Sequence, residues 1–154
     1  MKWMTASLLA CTLLFSATGV IAQAPRVGTF DREAIVVAYY GSPQWAEVLR
    51  QKQIELKAAQ QANDQKKVDE LNRWGGESQE LAQRQLAGNA PIDNILKTIA
   101  SAIQDICKAE NLLKVIPASA PDPASQTVDV TPQLLDWLKA SEKTRGIIRQ
   151  MQQK

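Results

Sequence analysis

The sequence predicts an α+β protein that is mostly helical: a small strand-containing body for association, from which an antiparallel, coiled-coil-like helical hairpin projects. Three observations carry that prediction. Residues 43–72 are rich in Gln, Lys, Glu and Ala, which lose little rotamer freedom in a helix. Isoleucines at positions 92, 95, 99, 103 and 106 recur at steps of three and four, the strongest helical periodicity in the chain. Strand chemistry is confined to short segments around Val27, Val115 and Val128, on either side of the helical stretch.

The first 22 residues read as a secretory signal peptide, with Lys2, an apolar run from Leu8 to Phe15, and small residues at Ala17, Gly19 and Ala22. Cleavage is expected after Ala22, because a cut after Ala24 would leave Pro25 next to the bond. Retention as a membrane anchor and lipidation at Cys11 are the alternatives. Residues 23–154 then form one domain, with an arm at 43–110, a body from 26–42 and 111–140, and a basic tail at 141–154. Losing Lys2 leaves 17 basic against 16 acidic side chains, a near-neutral balance that argues against nucleic acid as a partner. One cysteine, Cys107, remains, so no internal disulfide framework is available. It reads as a buried small apolar residue beside the isoleucine face.

Along the mature chain, Val27, Thr29 and Phe30 suit a strand, and Asp31 is placed to cap a helix ending at Gly41. The pair Tyr39-Tyr40 reads as packing, with a binding platform as the alternative. Ser42 and Pro43 supply an N-cap and a first helical residue. Trp45, Leu49, Leu56 and Ala59 then share one stripe, which thins at Asn63 and Lys66 and resumes, displaced, at Val68, Leu71 and Trp74. Between Pro43 and Asn72 five basic and five acidic residues balance, as on a solvated face. Gly75-Gly76 is read as the breaker that turns the hairpin, and Glu77 opens a second arm holding Leu81 and Leu86. Asn89-Ala90-Pro91 interrupts it before the isoleucine helix. Leu112 to Ile116 is a short strand, residues 118–127 a loop, and Val128 to Val130 an extended segment. Thr131 is expected as the N-cap of a helix carrying Leu134, Leu135, Trp137 and Leu138. The tail reads as a frayed, solvated terminus, or else as a basic patch making weak contact with an anionic membrane surface.

Chemistry is limited by what is missing. There is no histidine, so the commonest general base and metal ligand is absent and no Ser or Cys has an imidazole to activate it. No paired cysteines are spaced for zinc, and the Gly75-Gly76 pair lacks the strand-glycine-helix context of a phosphate loop. The expectation is therefore no enzyme, no cofactor and no metal.

The order of elements resembles the Skp/OmpH family of periplasmic chaperones. The residues that carry the resemblance are Val27-Gly28-Thr29-Phe30-Asp31, Pro91-Ile92 through Ile106 followed by Leu113-Lys114-Val115-Ile116, and Val128-Asp129-Val130-Thr131 before Leu134-Leu135. The resemblance implies a periplasmic homotrimer whose bodies associate and whose arms hold unfolded outer-membrane or envelope proteins. The hairpin seam has few large apolar residues to offset the entropy of ordering so much backbone, which independently favours anchorage through a shared base. Assembly and core positions are then Val27, Phe30, Ile92, Ile95, Ile99, Ile103, Ile106, Val115, Leu134 and Leu138. Client contact is expected at Val68, Leu71, Trp74 and Leu81, around the expected exposed turn. The competing reading is a non-catalytic structural or adaptor protein of the envelope, using the hairpin as a coiled-coil spacer for one folded partner.

Overall fold

The computed structural model describes residues 26–119 and 126–153. The signal-peptide expectation at residues 1–22 and the middle of the loop at 118–127 lie outside the described residues. Strand β1 (Arg26–Phe30) leads into α1 (Arg32–Tyr40), followed by α2 (Pro43–Gln61) and α3 (Gln65–Leu86). Then come α4 (Asp93–Thr98), α5 (Ala100–Ala109), β2 (Lys114–Pro117), β3 (Gln126–Asp129), α6 (Thr131–Trp137) and α7 (Glu142–Met151). The fold is α+β and mostly helical, as the residue pattern predicts.

The three strands form one parallel sheet in the order β2-β1-β3. Gly28 sits at its centre, opposite Val115 on one side and Val128 on the other. A Cβ there would come within 2.8 Å of Val115 and 2.9 Å of Leu112, so only glycine lets these side chains close over the strand. Against the sheet, Phe30, Ile35, Ile95, Ile99, Leu134 and Leu138 build the centre of the core. Ile92 is buried with them, and Ile103, Ile106, Cys107 and Val115 pack half-buried at the margin. Val27 is buried but stands apart from this cluster.

Two cap expectations hold. Asp31 caps α1 by accepting from the Ala34 amide at 3.0 Å, and Ser42 caps α2 by accepting from Trp45 at 3.2 Å. After α3, Gly88 at φ 80° closes a Schellman turn: its amide donates to Gln85 and that of Asn89 donates to Arg84.

Five details differ from the sequence reading. The hairpin turns at residues 62–64 and not at Trp74-Gly75-Gly76, because Asn63 takes the left-handed conformation at φ 53° and Asp64 caps α3 on the Lys67 amide. Helix α3 runs through both glycines, and the arm is α2 and α3 alone, since α4 and α5 belong to the core. The isoleucine helix divides at Ile99, just after Thr98, whose hydroxyl bonds back to the Asn94 carbonyl at 3.0 Å and so favours a bend. Thr131 is the first residue of α6 and not its cap; its hydroxyl accepts from the Asp31 amide and donates to the Asp129 carboxylate. The tail is not frayed: Ser141 caps α7, Ile148 is buried against the body, and Gln152 donates to Asp31 at 2.8 Å.

Candidate functional site

Where α2 and α3 leave the body, the arm carries a cluster of aromatic side chains that the placement of the turn creates. Setting the reversal at Asn63 brings Trp45 of α2 opposite Trp74 of α3, with ring centroids 6.1 Å apart. Tyr40, at the end of α1, meets Trp45 edge-on at 5.1 Å and Tyr39 at the same separation. Offset and edge-to-face pairs of this kind add roughly 0.5–1.5 kcal/mol each beyond their burial.

Beside these rings lies a groove of about 360 Å³, lined by Tyr40, Trp45, Leu49, Trp74, Gly75, Ser78, Gln79 and Ala82. No lining side chain carries a formal charge, although charged residues stud the arm around it. Lys52 closes the neighbouring surface, its Nζ 5.7 Å over the Trp74 ring and paired with Glu55 at 2.9 Å. Burial pushes the Tyr40 hydroxyl above the usual tyrosine range, so that wall stays neutral as well. Gly75 contributes a bare stretch of helix, with nothing within 4 Å of where its Cβ would stand.

The floor beneath the groove is held by Gln85, a fully buried polar side chain. Its amide donates at 2.6 Å to both the Pro91 carbonyl and Asn94 Oδ1, while its Oε1 accepts from the Tyr40 hydroxyl at 2.7 Å. Arg32 adds bonds to the carbonyls of Gln85 and Ala90, each 2.6 Å. Every polar atom of the Gln85 side chain is thereby engaged, which fixes the last turns of α3 to the body.

A larger cleft of about 490 Å³ lies between the start of α1 and the end of α7. Of the two carboxylates that line it, Asp31 is occupied by the Ala34 amide and by Gln152. Among the described residues no three of His, Cys, Asp and Glu gather as a metal would require, and no helix is long and apolar enough to cross a membrane.

The residues expected at the tip are dispersed. Leu71 is buried within the arm, Val68 lies half-buried near the turn, and Leu81 is half-buried on lower α3. Only Trp74 belongs to the groove, and it sits in mid-helix packed across the hairpin, not at an exposed turn. Of its other walls, Tyr40 was offered by the sequence reading only as the alternative to packing, and Trp45 and Leu49 only as members of a packing stripe. The available signal was Asn63-Asp64, a left-handed residue followed by an N-cap, which sets the register that pairs the tryptophans. Comparison with family models, with curated proteins and with solved structures finds no match to this chain.

Proposed function

We propose that this protein is a non-catalytic holdase of the bacterial cell envelope, of the Skp/OmpH kind, that captures apolar segments of unfolded outer-membrane or envelope proteins on its helical arm. The observation that carries the reading is the uncharged, aromatic-walled groove on an otherwise charged and solvated arm. A groove of that composition recognises apolar side chains without selecting a sequence, which suits transient capture of many chains. The placement of the arm between a strand-led body and a returning pair of strands supports the same reading, being the element order that the resemblance rests on.

Suppression of aggregation of an unfolded outer-membrane β-barrel protein tests it. Trp74→Ala and Trp45→Ala are each expected to lower protection several-fold. Ser78→Leu, which fills the groove without removing a ring, should do the same while leaving the unfolding midpoint within error. Full protection by Ser78→Leu would sink the groove as the capture site.

The adaptor reading is favoured by one observation: the turn at residues 62–64 is polar and capped, so the far end of the arm offers a folded partner a defined surface. Saturable binding to one native envelope protein, without protection of unfolded chains, would select it.

A further inference from the structure

Helix α3 contains two adjacent glycines that nothing in the fold requires. A Cβ on Gly75 or on Gly76 would meet no atom within 4 Å, and neither residue has a positive φ. Glycine at such positions weakens a helix relative to alanine, and paired small residues are where helices bend. Their position divides the arm mechanically. Below them, residues 77–86 of α3 are tied to the body through the Gln85 bonds to Tyr40, Pro91 and Asn94. Above them, Trp74 packs on Trp45, Leu71 and Ala59 are buried in the arm, and the turn at Asn63 joins the two helices into one unit. On the α2 side that unit joins the body at Ser42, a buried residue whose hydroxyl donates to the Tyr39 carbonyl at 2.6 Å and accepts from the Trp45 amide, and rests on it through the Trp45 ring.

The groove straddles this division. Trp45, Leu49 and Trp74 belong to the upper unit, while Tyr40, Ser78, Gln79 and Ala82 belong to the anchored part. Among the contacts across it are the two tyrosine-tryptophan pairs at 5.1 and 5.8 Å, which hold by ring packing without a hydrogen bond.

We propose that the upper arm pivots as a unit about Ser42 and the Gly75-Gly76 pair, and that this motion parts the two walls of the aromatic groove. The pivot follows from the backbone and its anchors and is independent of any client; that it admits apolar side chains rests on the holdase reading.

Spin-label distance measurements in the full chain, with Cys11→Ser and Cys107→Ser and diluted into unlabelled protein, test the pivot. A pair at Val48→Cys and Gln83→Cys reports across the groove, and a pair at Gln51→Cys and Lys66→Cys reports within the upper unit. The expected result is a broad distribution for the first pair and a narrow one for the second. Adding Gly75→Ala and Gly76→Ala should narrow the first pair to the width of the second and slow amide exchange at residues 77–80 about tenfold. The control Asn72→Ala, which strengthens α3 above the pivot, should leave the first pair broad. Equal widths for both pairs overturn the proposal, whether both are narrow, meaning a rigid arm, or both broad, meaning a fraying one. A first pair that stays broad in the double-alanine chain overturns it too. Aggregation suppression is measured separately, so failure of the holdase reading leaves the distance result standing.

Discussion

Gln85 shows how much of a site is settled by a residue whose neighbours in sequence give no sign of it. It sits between Arg84 and Leu86, both exposed, yet it is fully buried and bonded at every polar atom. Replacing it with Leu strands the Tyr40 hydroxyl and the Pro91 carbonyl, so a loss of about 2–4 kcal/mol is expected from the unfolding midpoint in denaturant. Tyr40→Phe should cost about 1 kcal/mol alone and much less in the Gln85→Leu background, since both changes remove the same bond. Glycines separate in the same way by what surrounds them. Gly28→Ala forces a methyl against Val115 and Leu112 and should destabilise by roughly 1–3 kcal/mol. Gly76→Ala meets nothing and should stabilise by roughly 0.5–1 kcal/mol. Sequence alone gives both glycines one letter; only the packing around them gives the two substitutions opposite signs.

At the scale of elements, what was legible in the sequence was whatever depends on local chemistry. Asp31 and Ser42 cap the helices they precede, and the isoleucine steps mark a face that Ile92, Ile95 and Ile99 bury. The hairpin turn was not legible, because two glycines outweigh one asparagine on propensity while the pairing of Trp45 with Trp74 is a tertiary gain visible only in the folded arm. The docking of α7 escaped for a related reason: Ile147, Ile148 and Met151 make a short apolar face whose cover shows only once α1 is placed beneath it. The groove inherited the error, since its walls come from helices brought into register by Asn63. Local charge chemistry on the arm is simpler. Hydrogen bonds from Arg50, then from Gln51, hold the Glu47 carboxyl well below its ordinary value of 4.5, at about 2. A carboxyl lowered in this way supports α2 above its ordinary range and loses that support as pH falls through about 2. Being fully exposed, the pair contributes little to stability. Carbon NMR should place the Glu47 midpoint near 2, and Arg50→Gln should move it up toward 4.5.

At the scale of the whole molecule, the sheet is the element left incomplete. With β1 in the middle, the outer edges of β2 and β3 have no strand beside them among the described residues. Leu113, just before β2, is 71% exposed, the most exposed large apolar side chain described. Val27 and Thr29 point to the face opposite Gly28 and Phe30, and Val27 is buried apart from the main core. Unpaired edges beside an exposed leucine are a hazard for a monomer and a means of closure for an oligomer. Head-to-tail contact of β2 in one copy with β3 in the next would satisfy both edges at once and bury Leu113, giving the arms the shared base that their thin seam calls for. Light scattering across a range of micromolar concentrations is expected to give a mass that is a small multiple of the chain. Leu113→Asp should reduce it to a monomer with unchanged helical circular dichroism, because Leu113 contributes nothing to the core of a single chain. A wild-type mass equal to one chain at every concentration would remove self-association from this account; the groove would then have to act on a solitary arm, with no neighbouring arms to enclose a client.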